Sequence, residues 1–188
     1  MAFYNDGQYG AALDCFHRAM EMGERGPQMR CFMAHALDCA GKPREAMEAF
    51  YALIKESPGY LPAYSGLLDV ARARGATGQV GKALRKALGL KFRDGKSRRQ
   101  FAAVFLKAGQ VYRAAGRTGI AEKYWRQTLR LDPKHREARR ALEGAWLERL
   151  EQGRIGHPGP VGKALEKALV LKPRDQGYRR ILAGTLLK

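Results

Sequence analysis

Small and large apolar residues return at helical spacing along the whole chain, and this pattern predicts an all-α protein. In each of five segments a small residue is followed four positions later by a large apolar one, and three positions after that by another small or apolar residue. Spacings of four and three place side chains on one face of an α-helix. The pattern predicts helices at 8–23, 43–56, 78–90, 118–131 and 160–171. A second set, at 28–40, 60–74, 96–115, 135–152 and 176–187, alternates with them.

The segments are copies of one structural unit. The small residues that begin the pattern are Ala12, Ala46, Val80, Ala121 and Val161, which lie 34, 34, 41 and 40 positions apart. Residues 78–99 and 159–180 are identical at 15 of 22 positions. A fixed period of this length is the signature of a repeat protein in which each unit stacks on the next.

The unit resembles the tetratricopeptide repeat, whose pattern is W-x2-L-G-x2-Y followed by Ala, Phe and Pro. The fourth unit matches best, with Phe105, Ala108, Gly109 and Tyr112, and then Ala121, Trp125 and Pro133. The resemblance covers essentially the whole chain and implies one domain, 1–188: a right-handed α-solenoid of about five helix-turn-helix units with incomplete ends. Such ends fit either a piece of a longer protein or a homo-oligomer that joins them.

Charge divides the chain into two parts. Residues 1–60 hold six basic and eight acidic side chains and are near-neutral, whereas 61–188 hold 29 basic and ten acidic side chains. An asymmetry of this size indicates a surface for an anionic partner. It also fits a solvated surface whose surplus cations keep the protein soluble.

The family resemblance gives the basic residues a location. In tetratricopeptide repeats the first helix of each unit lines a concave groove that binds peptides. The first helices of this chain are the predicted helices 28–40, 60–74, 96–115, 135–152 and 176–187. The side chains expected to face that groove are Arg72, Lys107, Gln110, Arg113, Arg140 and Arg180. Guanidinium groups bind carboxylates and phosphates with two parallel hydrogen bonds. We therefore expect a non-enzymatic protein–protein interaction scaffold that binds an extended or helical, acidic partner segment.

The alternative is that the basic part binds RNA or another polyanion. An accessory basic surface is expected at Arg98, Arg99, Lys123 and Arg126, partly on the second helices of the units. Exposed aromatic side chains could stack on nucleic-acid bases. However, Tyr112, Tyr124, Trp125 and Trp146 occupy positions that the repeat uses for packing, so the core is their expected place. Tyr178, beside Arg179 and Arg180, is the best exposed candidate.

Other chemistry has little support in the sequence. Cys31, His35 and Cys39 lie four residues apart on one predicted helix, so two of them could bind a metal ion, but further ligands are not evident. The four histidines show no catalytic order, and no cofactor is implied. No apolar run is long enough to span a membrane. Three clustered cysteines and the absence of a signal-like start favour a cytoplasmic protein.

Overall fold

The computed structural model describes residues 8–92 and 94–151, which are helical throughout apart from short connections. The helices, in chain order, are α1 Tyr9–Glu21, α2 Pro27–Cys39, α3 Pro43–Glu56, α4 Leu61–Arg74, α5 Gly78–Leu88, α6 Gly95–Ala114, α7 Thr118–Leu131 and α8 Arg136–Glu151. The described residues contain no strand. The all-α prediction is confirmed, and eight of the ten predicted helices are found within a few residues of their expected bounds. The predicted helices 160–171 and 176–187 lie outside the described residues.

The structure divides into two compact units, Met1–Asp132 and Pro133–Lys188. The described part of the first unit contains α1 to α7. The described part of the second unit contains α8, where Ala138, Leu142, Ala145 and Trp146 are buried at spacings of four, three and one. That set is the apolar face that periodicity predicts for a first helix.

Two rows of helices build the first unit. The first helices of successive repeats, α2, α4 and α6, pack against one another and are called the A row. The second helices, α1, α3, α5 and α7, are called the B row. Helices α1, α3 and α5 each pack against the first helix of the next repeat, and α3 also packs against α5. The predicted small residues Ala46, Val80 and Ala121 are all fully buried on the B row.

The tightest packing joins α6 to α7 through a glycine. Trp125 of α7 is only 1% exposed, and its indole ring lies directly over Gly109 of α6. A Cβ at Gly109 would overlap that ring. Gly66 of α4 has the same relation to the buried ring of Phe50 on α3. In both places the absence of a side chain lets a large aromatic ring fill the space between two helices.

The extra length of the fourth unit extends its first helix, as predicted. Helix α6 has 20 residues and begins at the N-cap Asp94, whose side chain accepts a hydrogen bond from the Ser97 backbone at 2.7 Å. Phe101 in the added turns packs between Phe92 and Tyr64, with ring centroids 4.6 and 5.7 Å away. The Tyr64 hydroxyl donates to the Pro58 carbonyl at 2.9 Å. These aromatic contacts fix the extension against α4.

Replacing Gly109 should destabilise the fold more than replacing a glycine with open space around it. Gly109→Ala forces a methyl group into the Trp125 ring, so we expect the free energy of unfolding to fall by about 2 kcal/mol despite the better helix propensity of alanine. Urea unfolding of the full chain measures the change. Gly119→Ala on α7 is the control, because nothing lies within 4 Å of that position. Equal stability of the two variants would contradict the packing described here.

Candidate partner-binding surfaces

A polar cluster joins two helices of the A row. The Lys107 ammonium on α6 donates to Asp69 Oδ2 at 2.7 Å and to Ser65 Oγ at 2.9 Å, both on α4. Its side chain is 27% exposed, and that of Asp69 is 56% exposed. Lys107 is therefore half-buried and shares its charge with a carboxylate of the same face. A ligand of the A row meets this ion pair rather than an isolated cation.

His35 brings a third helix to the cluster. Its ring packs edge-on against Phe50, with centroids 4.9 Å apart. Burial lowers the pKa of His35 below its usual value; the carboxylates of Asp69 and Asp38 act in the opposite direction, and the Lys107 ammonium acts with burial. His35, Asp69 and Lys107 thus lie within electrostatic reach of one another on α2, α4 and α6.

The remaining residues of the expected groove differ in exposure. Arg72 on α4 and Arg113 on α6 are exposed, and Gln110 on α6 is half-buried. Arg140 is exposed on α8, in the second unit. Arg180 lies outside the described residues. Arg72 and Arg113 are 41 residues apart, which is the repeat distance between these units, so they occupy equivalent positions on neighbouring helices of the A row.

The accessory basic residues are all exposed. Arg98 and Arg99 lie in the added turns of α6, and Lys123 and Arg126 lie on α7. Arg126 donates to Glu122 Oε2 at 2.7 Å, and the Glu122 side chain is only 3% exposed. A buried carboxylate therefore offsets the positive charge of Arg126. This weakens the attraction of Arg126 for an anionic ligand.

The aromatic residues of the basic part are used in the core. Tyr124 stacks between Phe105 and Tyr112, with ring centroids 6.1 and 5.4 Å away. Burial raises the pKa of Tyr124 to about 12. Trp125 and Trp146 are also buried. Of the candidates for base stacking, Tyr112, Tyr124, Trp125 and Trp146 are buried, and Tyr178 lies outside the described residues.

The cysteine and histidine residues of α2 do not gather into a metal site. Cys31 is buried, and that burial raises the pKa of its thiol, whereas Cys39 is exposed. Within residues 8–92 and 94–151, no group of three His, Cys, Asp or Glu side chains could hold a metal ion. None of the described helices is long and apolar enough to cross a lipid bilayer.

The sequence predicts that Lys107 faces the groove, but it does not predict the partners of Lys107. Asp69 and Ser65 are four residues apart on α4 and so share a helix face, and α4 lies one repeat before α6. The pairing could have been suspected, because an acidic residue expected to face the groove lies one unit before a basic one. The pairing itself depends on how far one helix is displaced along the other, which residue spacing within a helix does not determine.

The charges around His35 give a test of the A-row geometry. We expect an NMR titration of the full chain to place the His35 pKa below 6.5. Asp69→Asn should lower it further, because a stabilising carboxylate is lost, and Lys107→Met should raise it, because a repelling ammonium is lost. A His35 pKa that moves in neither variant would show that the three side chains are not close together.

Known proteins provide a likeness in structure. No family model matches the chain, and no curated protein matches it. Among solved structures, the chain is similar to MamA, with 18% identity, 91% of this chain and 92% of that chain covered, and a TM-score of 0.56. It is also similar to TTC0263, a thermophilic TPR protein from Thermus thermophilus, with 26% identity, 100% and 95% of the chains covered, and a TM-score of 0.46. The likeness to MamA and the repeated helix pairs show that the chain has the all-α solenoid fold of tetratricopeptide-like repeat proteins.

Proposed function

We propose that the chain is a non-enzymatic protein–protein interaction scaffold whose A row binds an acidic segment of a partner protein. The observation that carries the proposal is the pair Arg72 and Arg113, exposed at equivalent positions on neighbouring first helices. Each guanidinium group can bind a carboxylate with two parallel hydrogen bonds. Gln110 would contribute on the same row, as would Lys107 beside Asp69. Arg140 and Arg180, which are 40 residues apart, would contribute further basic groups in the second unit, at a different repeat position.

The spacing of the two arginines indicates what the partner segment looks like. Helices α4 and α6 pack against each other, and packed helices have axes about 8–10 Å apart. An extended peptide in the polyproline II conformation advances about 3.1 Å per residue with three residues per turn, so carboxylates three positions apart lie on one side and would reach both arginines. In a helical segment, which rises about 1.5 Å per residue, the matching separation is seven positions, close to two full turns.

The A row carries negative as well as positive charge. Asp38 on α2 and Asp69 on α4 place negative charge near His35, whereas Arg72 near the end of α4 and Arg113 near the end of α6 place positive charge. A segment that carries only acidic residues would be repelled at the carboxylates. The partner segment we propose therefore has its acidic residues over the two arginines and neutral or basic residues over Asp38 and Asp69.

A synthetic peptide tests this function. The probe is a fluorescein-labelled 15-residue peptide with two glutamates three positions apart in an otherwise neutral sequence, and its matched control has glutamine at those two positions. We expect fluorescence anisotropy at moderate salt to detect the glutamate peptide and to give at least ten-fold weaker binding for the glutamine peptide. Arg72→Glu with Arg113→Glu should weaken the glutamate peptide at least ten-fold, because two attractions become repulsions.

The control is a variant with the same change in net charge on the other row, Lys82→Glu with Lys123→Glu. These two lysines are also 41 residues apart and exposed, on α5 and α7. Peptide binding should change less than about three-fold in this control. Equal losses in the two variants would mean that net charge, rather than the A row, holds the peptide, and the proposed function would be rejected.

A further inference from the structure

We propose that the exposed face of α5 and α7 is a second binding surface, which holds the phosphate backbone of a double-stranded nucleic acid. This surface belongs to the B row and does not depend on the peptide-binding role proposed for the A row. It is called the B-row basic surface and consists of Lys82, Arg85 and Lys86 on α5 and Lys123, Arg126 and Arg130 on α7.

The charges of this surface are of one sign. All six basic side chains are exposed, and the acidic residue of the two helices, Glu122, is buried. Lys82 lies three and four residues before Arg85 and Lys86, and the cations of α7 are three and four residues apart, which places such neighbours about 5–6 Å from each other on the same face. The result is a stripe of positive charge along each helix, without an exposed carboxylate to interrupt it.

The same face has the opposite character earlier in the chain. On α1 the exposed charges are Asp14, Arg18 and Glu21, and on α3 they are Arg44, Glu45, Glu48, Lys55 and Glu56. Both helices carry more acidic than basic side chains. The uniform positive charge of α5 and α7 is therefore not a general property of second helices in this protein.

The two stripes correspond by the repeat. Lys82 and Lys123 are 41 residues apart, as are Arg85 and Arg126, so each pair holds the same position relative to the buried face. Arg85 lies close enough to Tyr124 of α7 for its charge to oppose the rise that burial causes in the pKa of that tyrosine. Both helices also pack against α6, so the two stripes lie on neighbouring helices of the B row.

Five of the six cations carry the proposal. The charge of Arg126 is offset by the buried Glu122 carboxylate, so this pair contributes little to the field outside the protein. Lys82, Arg85, Lys86, Lys123 and Arg130 remain. A duplex carries one negative charge for about every 1.7 Å of its axis, and lysine and arginine that neutralise phosphates release the counterions condensed on it.

The side chains of α5 and α7 favour a double-stranded nucleic acid over a single strand or a lipid surface. Proteins that hold single strands stack bases on exposed aromatic rings, whereas Tyr124 and Trp125 of α7 are in the core. Helices that lie in a lipid interface insert a row of bulky apolar side chains, whereas α5 and α7 each expose one, Leu88 and Ile120, both 38% exposed. A surface dominated by charge is suited to a backbone that is bound without contact to its bases.

A binding assay with duplexes of unrelated sequence tests the proposal. The probes are a labelled 20-base-pair DNA and the corresponding RNA, titrated with the full chain from low to moderate salt. We expect both duplexes to bind, with log Kd rising against log salt at a slope of about 4 for DNA, since about five phosphates are neutralised. Lys82→Glu with Lys123→Glu should weaken binding at least ten-fold and lower that slope by about two.

The matched control is Arg72→Glu with Arg113→Glu, which changes the net charge equally on the A row. Duplex binding should change less than about three-fold in this control variant. That result is expected whether or not the variant alters binding of the acidic peptide, so the two proposals can fail separately. Equal losses in both variants, or a single strand that binds more tightly than a duplex, would overturn the proposal. So would retention of the chain on vesicles containing phosphatidylserine together with no binding of either duplex.

Discussion

The contact between a large side chain of one helix and a residue of minimal size on another is the constraint on which this structure depends. Trp125 lies on Gly109 between α6 and α7, and Phe50 lies on Gly66 between α3 and α4. Such a contact fixes the rotation of both helices, because an α-helix turns about 100° per residue. Once that rotation is fixed, the face that each helix shows to solvent is fixed as well.

Two surfaces of different character follow from this constraint. On the A row, positive charge is balanced locally: Lys107 is paired with Asp69, and Asp38 lies near His35. On α5 and α7 of the B row, the exposed charges are all positive. A surface of mixed charge can select a partner by the order of its residues, whereas a uniform one binds by charge density and is sensitive to salt. This difference is why we assign a peptide to one row and a phosphate backbone to the other.

The sequence predicted the fold well because the fold is encoded locally. The spacings of four and three placed Val80 and Leu84, like Ala121 and Trp125, on the buried face where the structure has them. The beginning of α6 near Lys96 was also predictable, since Asp94 is an N-cap within a polar segment. These features depend on residues within one or two helical turns, and periodicity detects that range.

The surfaces were predicted only in part because they depend on pairs of residues from different helices or on partial burial. Lys107 was expected to face the groove, but its pairing with Asp69, 38 residues away, was not predicted. Arg126 was expected to strengthen the accessory surface, but Glu122, one turn before it, is buried and offsets its charge. Periodicity alone assigns Glu122 no more burial than its neighbours; its burial follows from how closely α7 packs.

Residue-resolved NMR of the full chain is the most direct test of whether the A row and the B row bind different ligands. Acidic peptide and DNA duplex would be added in separate titrations while the arginine and lysine side-chain resonances are followed. We expect the peptide to shift the signals of Arg72 and Arg113 and to leave Lys82 and Lys123 unchanged, and we expect the duplex to do the reverse. Both ligands shifting the same set of signals would contradict this expectation.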